Sequence, residues 1–368
     1  MESQNVSKSQ PRSTGRRAAV IVLGVLFVIT AVVGAVGFDV WRVLFNPPLV
    51  KQTLTDEMVK SDLVAAVLQA FSEQRARQRV ERGEALSGVD EPDIALLLSF
   101  VSLDDWRAIK KLLVTDDFIN HLVSVSVDAL YTWIDSPDPA PKLVWNMQPL
   151  KARVSGNEGK EAILTAYAAL PQCKPEEVAD FQARLSQVPP GVEVLYNLCQ
   201  FPMPYRTDQI DDYVHALEIV NENVPLEFNF GKMLEESPSA NPQAVKTLLR
   251  RVRFAAHWMW VLALVFLLAL LALSRFDRRR LGIYAGIPLL VAGALTLLLA
   301  GAAQPLLANL ISNALLAQTS ELVRAEVSAS LARLARLFFQ PLWVQGAVMA
   351  LGGAALLIIA RIRVRQNA

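Results

Sequence analysis

Hydrophobic and polar positions alternate along this chain on two scales. On the coarse scale, residues 18–38, 254–274, 281–304 and 342–360 form four apolar blocks of 19 to 24 residues that contain no Asp, Glu, Lys or Arg. About twenty apolar residues in helical form match the hydrocarbon thickness of a bilayer, so each block predicts a membrane-crossing helix. On the fine scale, 39–253 carries a period close to that of an α-helix, broken by proline clusters.

The fine pattern predicts a mainly helical domain between the first and second crossings. Residues 53–74 place Met58, Leu63, Val67, Leu68 and Phe71 on a rough stripe, with Thr55 as the expected N-cap. Ser102 precedes a helix with Asp104 and Asp105 in its first turn, and Thr115 does the same for Asp116 and Asp117. Carboxylates there oppose the positive end of the helix dipole. Residues 155–170, 174–185 and 207–220 follow the same pattern. Asn241 and Pro242 read as a cap and first helical position, and no breaker follows, so one helix is expected from about 242 to 274. Stretches 137–154 and 187–205 are punctuated by proline and are expected to be extended or irregular.

Charge sets the expected orientation. With the N-terminus inside, segments 1–17, 275–280 and 361–368 hold eleven Lys and Arg, against three in the outer segment 305–341. Basic residues in short segments mark the cytoplasmic side, whereas long domains cross largely regardless of charge. That weighting discounts Arg250, Arg251 and Arg253, which belong to the long segment. The formal net charge of +1 hides an asymmetry: residues 41–253 carry 30 acidic and 22 basic side chains, while the three inner segments sum to +9. An acidic domain outside and a basic fringe against the anionic inner leaflet are consistent with each other. The first block, about 21 residues long and preceded by Lys8, Arg12, Arg16 and Arg17, reads as an uncleaved signal anchor, because a cleaved signal has a shorter apolar core.

Two cysteines occur, Cys173 and Cys199, both within 39–253. Their confinement to the outer domain predicts a disulfide formed in an oxidising compartment. The resulting organisation is an all-α membrane protein: basic tail 1–17, helix 18–38, extracytoplasmic domain 39–253, helix 254–274, loop 275–280, helix 281–304, outer amphipathic loop 305–341, helix 342–360 and tail 361–368. In the outer loop, Val323, Val327, Leu331, Leu334 and Phe338 share a helical face, expected to pack against the outer domain. Residues 55–70 align without gaps to 319–334, with identities at 55/319, 57/321, 59/323 and 65/329. That match raises a duplication, although shared composition of two amphipathic helices accounts for it as well.

Chemistry is sparse. The pairs Asp104/Asp105, Asp116/Asp117 and Asp211/Asp212 are expected to begin helices, which explains them without catalysis; Glu235/Glu236 adds no partner. His215 and Glu218 have a spacing able to hold a metal on a helix, but no second such pair and no HExxH accompanies them. The remaining histidines, His121 and His257, are far away in sequence. No phosphate loop, dinucleotide fingerprint, nucleophile elbow or zinc spacing is present, so no catalytic, cofactor or metal residue is assigned. Within the blocks, the polar residues Thr30, His257, Thr296, Gln304 and Gln345 include no carboxylate, which argues against an ion path. Trp258, Trp260 and Trp343 fit an outer aromatic belt, and the small residues Gly282, Gly286, Gly346, Ala350 and Ala354 would allow close helix approach.

These features predict a non-enzymatic, multi-pass protein of the plasma (inner) membrane, with both ends of the chain cytoplasmic. Its outer domain would bind a protein or envelope partner, with the lipid bilayer as its other partner, no cofactor and no nucleic acid. Alanine- and leucine-rich crossings and a lone N-x-S sequon at Asn5, on the inner side, fit a bacterial source. In topology alone the arrangement is similar to permeases of mechanotransmission ABC systems, which implies a subunit of a larger machine that docks an ATPase. The expected inner segments of 17, 6 and 8 residues offer such an enzyme little surface. An envelope hydrolase without a recognisable motif is the third reading.

Overall fold

Each apolar block continues as helix into at least one flank, on to Leu44, back to Pro242, on to Ala314 and across Glu321–Gln366. The computed structural model describes residues 12–81, 94–187, 197–237, 241–274, 278–314 and 321–366. In chain order its elements are α1 (Arg12–Leu44), α2 (Pro47–Lys60), α3 (Leu63–Glu81), α4 (Ile94–Ser99), α5 (Leu103–Leu113), α6 (Asp116–Asp135), β1 (Val144–Asn146), α7 (Gln148–Val154), α8 (Asn157–Ala168), α9 (Pro175–Gln187), α10 (Tyr205–Asn223), β2 (Glu227–Asn229), α11 (Phe230–Glu236), α12 (Pro242–Ser274), α13 (Arg278–Leu281), a π-helical turn (Gly282–Gly286), α14 (Ile287–Ala314) and α15 (Glu321–Gln366). Four stretches, Ala18–Leu44, Pro242–Ser274, Gly282–Ala303 and Arg324–Ile362, are helices long and apolar enough to cross a membrane. The expected single helix from Pro242 to Ser274 is present, and Pro305 and Pro341 lie inside α14 and α15.

The described chain falls into two compact units: a membrane unit within 1–50, 244–311 and 331–368, and a second unit within 51–243 and 312–330. In the membrane unit, Phe27, Ala31, Leu270 and Ala292 form one buried cluster and Ala35, Ala300 and Leu342 another. Small residues let the backbones close in. A Cβ at Gly293 would sit 2.7 Å from the Gly346 carbonyl oxygen, and one at Gly353 would sit 2.7 Å from the Gly286 carbonyl oxygen. Close α14–α15 packing therefore uses Gly286, Gly346 and Ala350 from the expected set and adds Gly293 and Gly353.

The second unit has its own core. Leu97, Trp106, Ile109, Ile163, Ala166, Tyr167 and Tyr213 are buried together where α3, α4, α5, α8 and α10 meet. Two of the expected caps hold: the Asp105 amide donates to Ser102 Oγ at 3.3 Å and the Phe118 amide to Thr115 Oγ1 at 3.2 Å. Stretch 137–154 is less irregular than its prolines imply. Its strand β1 pairs antiparallel with β2, Trp145 opposite Phe228, and α7 follows.

Three local expectations differ from the structure. Thr55 lies inside α2 and caps nothing, because α2 already starts at Pro47. The stripe over 53–74 is split by a break at Ser61–Asp62, after which α3 buries Ala65, Ala66 and Ser72 and leaves Val67 and Phe71 exposed. Asp211 and Asp212 lie well inside α10, whose first turn holds Asp208 instead. The break also separates the two aligned segments, since α15 runs unbroken through 321–334 where Ala325 and Glu326 replace Ser61 and Asp62. Of the apolar face expected in the outer loop, the side chains of Val323, Leu331 and Leu334 lie outside the described ones, as do residues 188–196 of the second proline-rich stretch.

Candidate functional site

Two polar positions in the second unit are built by residues far apart in sequence. Arg107 on α5 donates through Nε to Asp62 Oδ1 at 2.8 Å and through Nη2 to Asp62 Oδ2, while Nη1 reaches Asp104. The hydrogen bonds from Arg107 hold the Asp62 carboxyl below its ordinary range, and the same bonds raise the guanidinium. One turn on, Lys110 is buried and its Nζ donates to the carbonyls of Met58, Val59 and Ser61 at 2.9, 3.1 and 3.2 Å. Burial lowers its pKa, partly offset by Asp62 and Asp116. Lys110 has three donors, and the three carbonyls at the end of α2 take them. Both side chains hold the α2–α3 break in place, and neither is free for a ligand.

The bonded pair Cys173–Cys199 straps the loop 197–205 over α9. Phe181, Cys199 and Phe201 are buried beneath it, with the Phe181 and Phe201 rings 4.9 Å apart. The loop is also pinned from below. Tyr167 Oη donates to Gln209 Oε1 at 2.7 Å and accepts the Phe201 amide at 3.0 Å, while Gln209 Nε2 donates to the Asn197 and Cys199 carbonyls at 3.1 and 3.0 Å. Burial raises the Tyr167 hydroxyl above its ordinary value. At the tip of this fixed loop, Met203 is 73% exposed.

A concavity of about 580 Å³ lies between α7 and the end of α10, lined by Lys151, Ser155, Asn221 and Leu226 among others. Its cation is already used: Lys151 Nζ donates to the Asn221, Glu222 and Val224 carbonyls, and Asn221 Nδ2 returns a bond to Ser155 Oγ at 2.7 Å. His215 Nδ1 lies 3.7 Å from Glu218 Oε2, both side chains exposed, and among the described residues no three His, Cys, Asp or Glu side chains gather as a metal site would need. Protein-family models, curated proteins and solved structures were compared with the chain, and none matches. Its function has to be argued from its own side chains.

The membrane unit holds the least expected site. Because α1 runs on to Leu44, the first crossing includes Asp39, one residue past the apolar block. The apolar block 18–38 itself holds no carboxylate, as expected, but its helix carries one directly after it. Asp39 is only 1% exposed, and its Oδ1 accepts from Gln345 Nε2 of α15 at 2.9 Å. Its Oδ2 is buried with no hydrogen-bond partner. The site lies at an aromatic end of the bundle, where Trp41 is 5.5 Å from the His257 ring and His257 is 5.5 Å from Trp258. Gly37 lets α1 approach the Ala256 backbone, with a Cβ there only 3.2 Å from Ala256 Cα. Two other polar side chains of the bundle bond within their own helices, Thr30 Oγ1 donating to the Leu26 carbonyl and Thr296 Oγ1 to the Ala292 carbonyl. The signal for Asp39 was in the sequence: Val40, Trp41, Val43 and Leu44 stay apolar, and the first breaker is Asn46-Pro47-Pro48.

Proposed function

We propose that this is a non-enzymatic integral membrane protein of a bacterial inner membrane, with segments 1–17 and 361–368 cytoplasmic, that presents its second unit outside for binding a protein or envelope component. The observation that carries the reading is the pairing of four membrane-length helices with a helical unit that has a separate core and a disulfide. A structural disulfide persists in an oxidising compartment, which favours the outer side for that unit. The excess of basic residues in the short inner segments points the same way.

The strapped loop is the favoured binding edge. Loops carried on a rigid scaffold are where recognition residues concentrate, and an exposed Met adapts to varied apolar partners. Met203 combines the two: an apolar side chain in water on a loop with its backbone pinned from below. Topology is tested with an impermeant thiol reagent on intact cells. Labelling of Asp138→Cys with protection of Arg280→Cys supports the orientation, and the reverse pattern removes it. Binding is tested with a photo-crosslinker at position 203 and a second at the exposed Leu185. A discrete adduct at 203 alone supports the loop, whereas identical products at both positions reject it.

A further inference from the structure

We propose that Asp39 is a proton-binding site within the membrane bundle, held as the neutral acid in a two-bond pair with the Gln345 side-chain amide. An ionised carboxylate is an acceptor with about four lone-pair positions, and in an apolar surrounding it needs several donors or a cation. Asp39 receives one side-chain donor, Gln345 Nε2 at Oδ1, while Oδ2 lies buried with no partner. A bare charge in that position is costly inside a membrane.

A proton on Oδ2 turns the orphaned acceptor into a donor. The acceptor for it is already on the neighbouring helix, because the amide that donates through Nε2 carries Oε1 on the same carbon. An acid and a primary amide facing each other can close a ring of two hydrogen bonds, O–H to Oε1 and Nε2–H to Oδ1. One proton taken from water then satisfies both carboxyl oxygens without any further group. The same proton, once released, would leave the bond at Oδ1 as the main link between the two side chains.

The charged surroundings do not supply an alternative partner. On α1 itself, Arg42 is within electrostatic reach but exposed, and its guanidinium does not bond Oδ2. From α12 the groups near this level are His257, whose ring lies against Trp41 and Trp258, and Arg253, about one turn further out, and neither bonds Oδ2. Helix α14 has no charged residue, and α15 has none between Arg336 and Arg361. The ligand the site fits is therefore a proton, exchanged from the aromatic end where Trp41 and His257 are exposed.

Infrared difference spectroscopy on the full chain in lipid reads the protonation state directly. Wild type minus Asp39→Asn at neutral pH should show the C=O stretch of a protonated carboxyl, sensitive to deuterium exchange. Asn keeps the shape and an amide partner for Gln345; Asp39→Leu gives the same subtraction should Asn disturb the fold. Gln345→Leu leaves Asp39 in place, and the acid band should move to the frequency of a less hydrogen-bonded carboxyl. A difference spectrum containing carboxylate stretches in place of the acid band overturns the proposal. So does an acid band that Gln345→Leu leaves unmoved.

Discussion

Lys110 and Asp62 are charges whose work is to hold backbone, and each makes a prediction at the scale of one side chain. Replacing Lys110 by Met keeps the apolar stem but leaves the Met58, Val59 and Ser61 carbonyls without their donor. At about 1–3 kcal/mol for a buried unsatisfied group, with partial rescue by water, Lys110→Met should lower stability by about 2–4 kcal/mol in denaturant unfolding followed by tryptophan fluorescence. Asp62 gives a pH prediction. Its folded-state carboxyl is held low by Arg107, so as pH falls the unfolded chain takes the proton first. The stabilisation is present above the ordinary carboxylate range and is lost as pH drops through the lowered folded value. The stability difference between wild type and Asp62→Asn should therefore be constant near neutral pH and shrink on acidification; a difference that grows in acid would contradict the assignment. Asp39 was legible as a residue but not as a site, since only Gln345, 306 positions away, shows that it faces inward.

Among elements, the helix starts at Ser102 and Thr115 were readable because a cap is local chemistry: one side-chain oxygen and an amide three residues on. The α2–α3 break was not readable for the opposite reason. Ser61 and Asp62 do not stop a helix strongly on their own, and the groups that stabilise the break come from α5, some 45 or more residues later. The helix contact between α14 and α15 was partly readable from spaced small residues, but periodicity could not say which glycines face a neighbour. That distinction is testable. Gly353→Leu should shift the detergent-solubilised protein toward aggregate on size-exclusion, because a Cβ there meets the Leu290 and Gly286 backbones, which cannot yield. Gly352→Leu, next to it, should be much milder, since its nearest neighbour is the flexible end of Leu289 at 3.4 Å. For α9, replacing both Cys173 and Cys199 by Ser frees a loop of sequence separation 26, which costs about 3.5 kcal/mol in the chain-entropy model.

At the scale of the molecule, membrane helices were the most legible feature, because length and unbroken apolarity suffice to recognise them. Orientation depends on a distributed property, and its prediction is correspondingly graded. In the proposed orientation, changing Arg278, Arg279 and Arg280 to Ala leaves eight inner basic residues against three outer ones, so the labelling pattern of Asp138→Cys should hold. Removing Arg12, Arg16 and Arg17 as well leaves five against three, and a mixed population should appear. The strap between Cys173 and Cys199 carries a consequence for biogenesis. Joining two thiols releases two protons and two electrons, so each newly made chain must hand that pair to an acceptor before loop 197–205 is fixed over α9. Maturation of this membrane protein is thereby tied to a cell's thiol-oxidising capacity, and a host lacking it would accumulate chains that are inserted but unfinished.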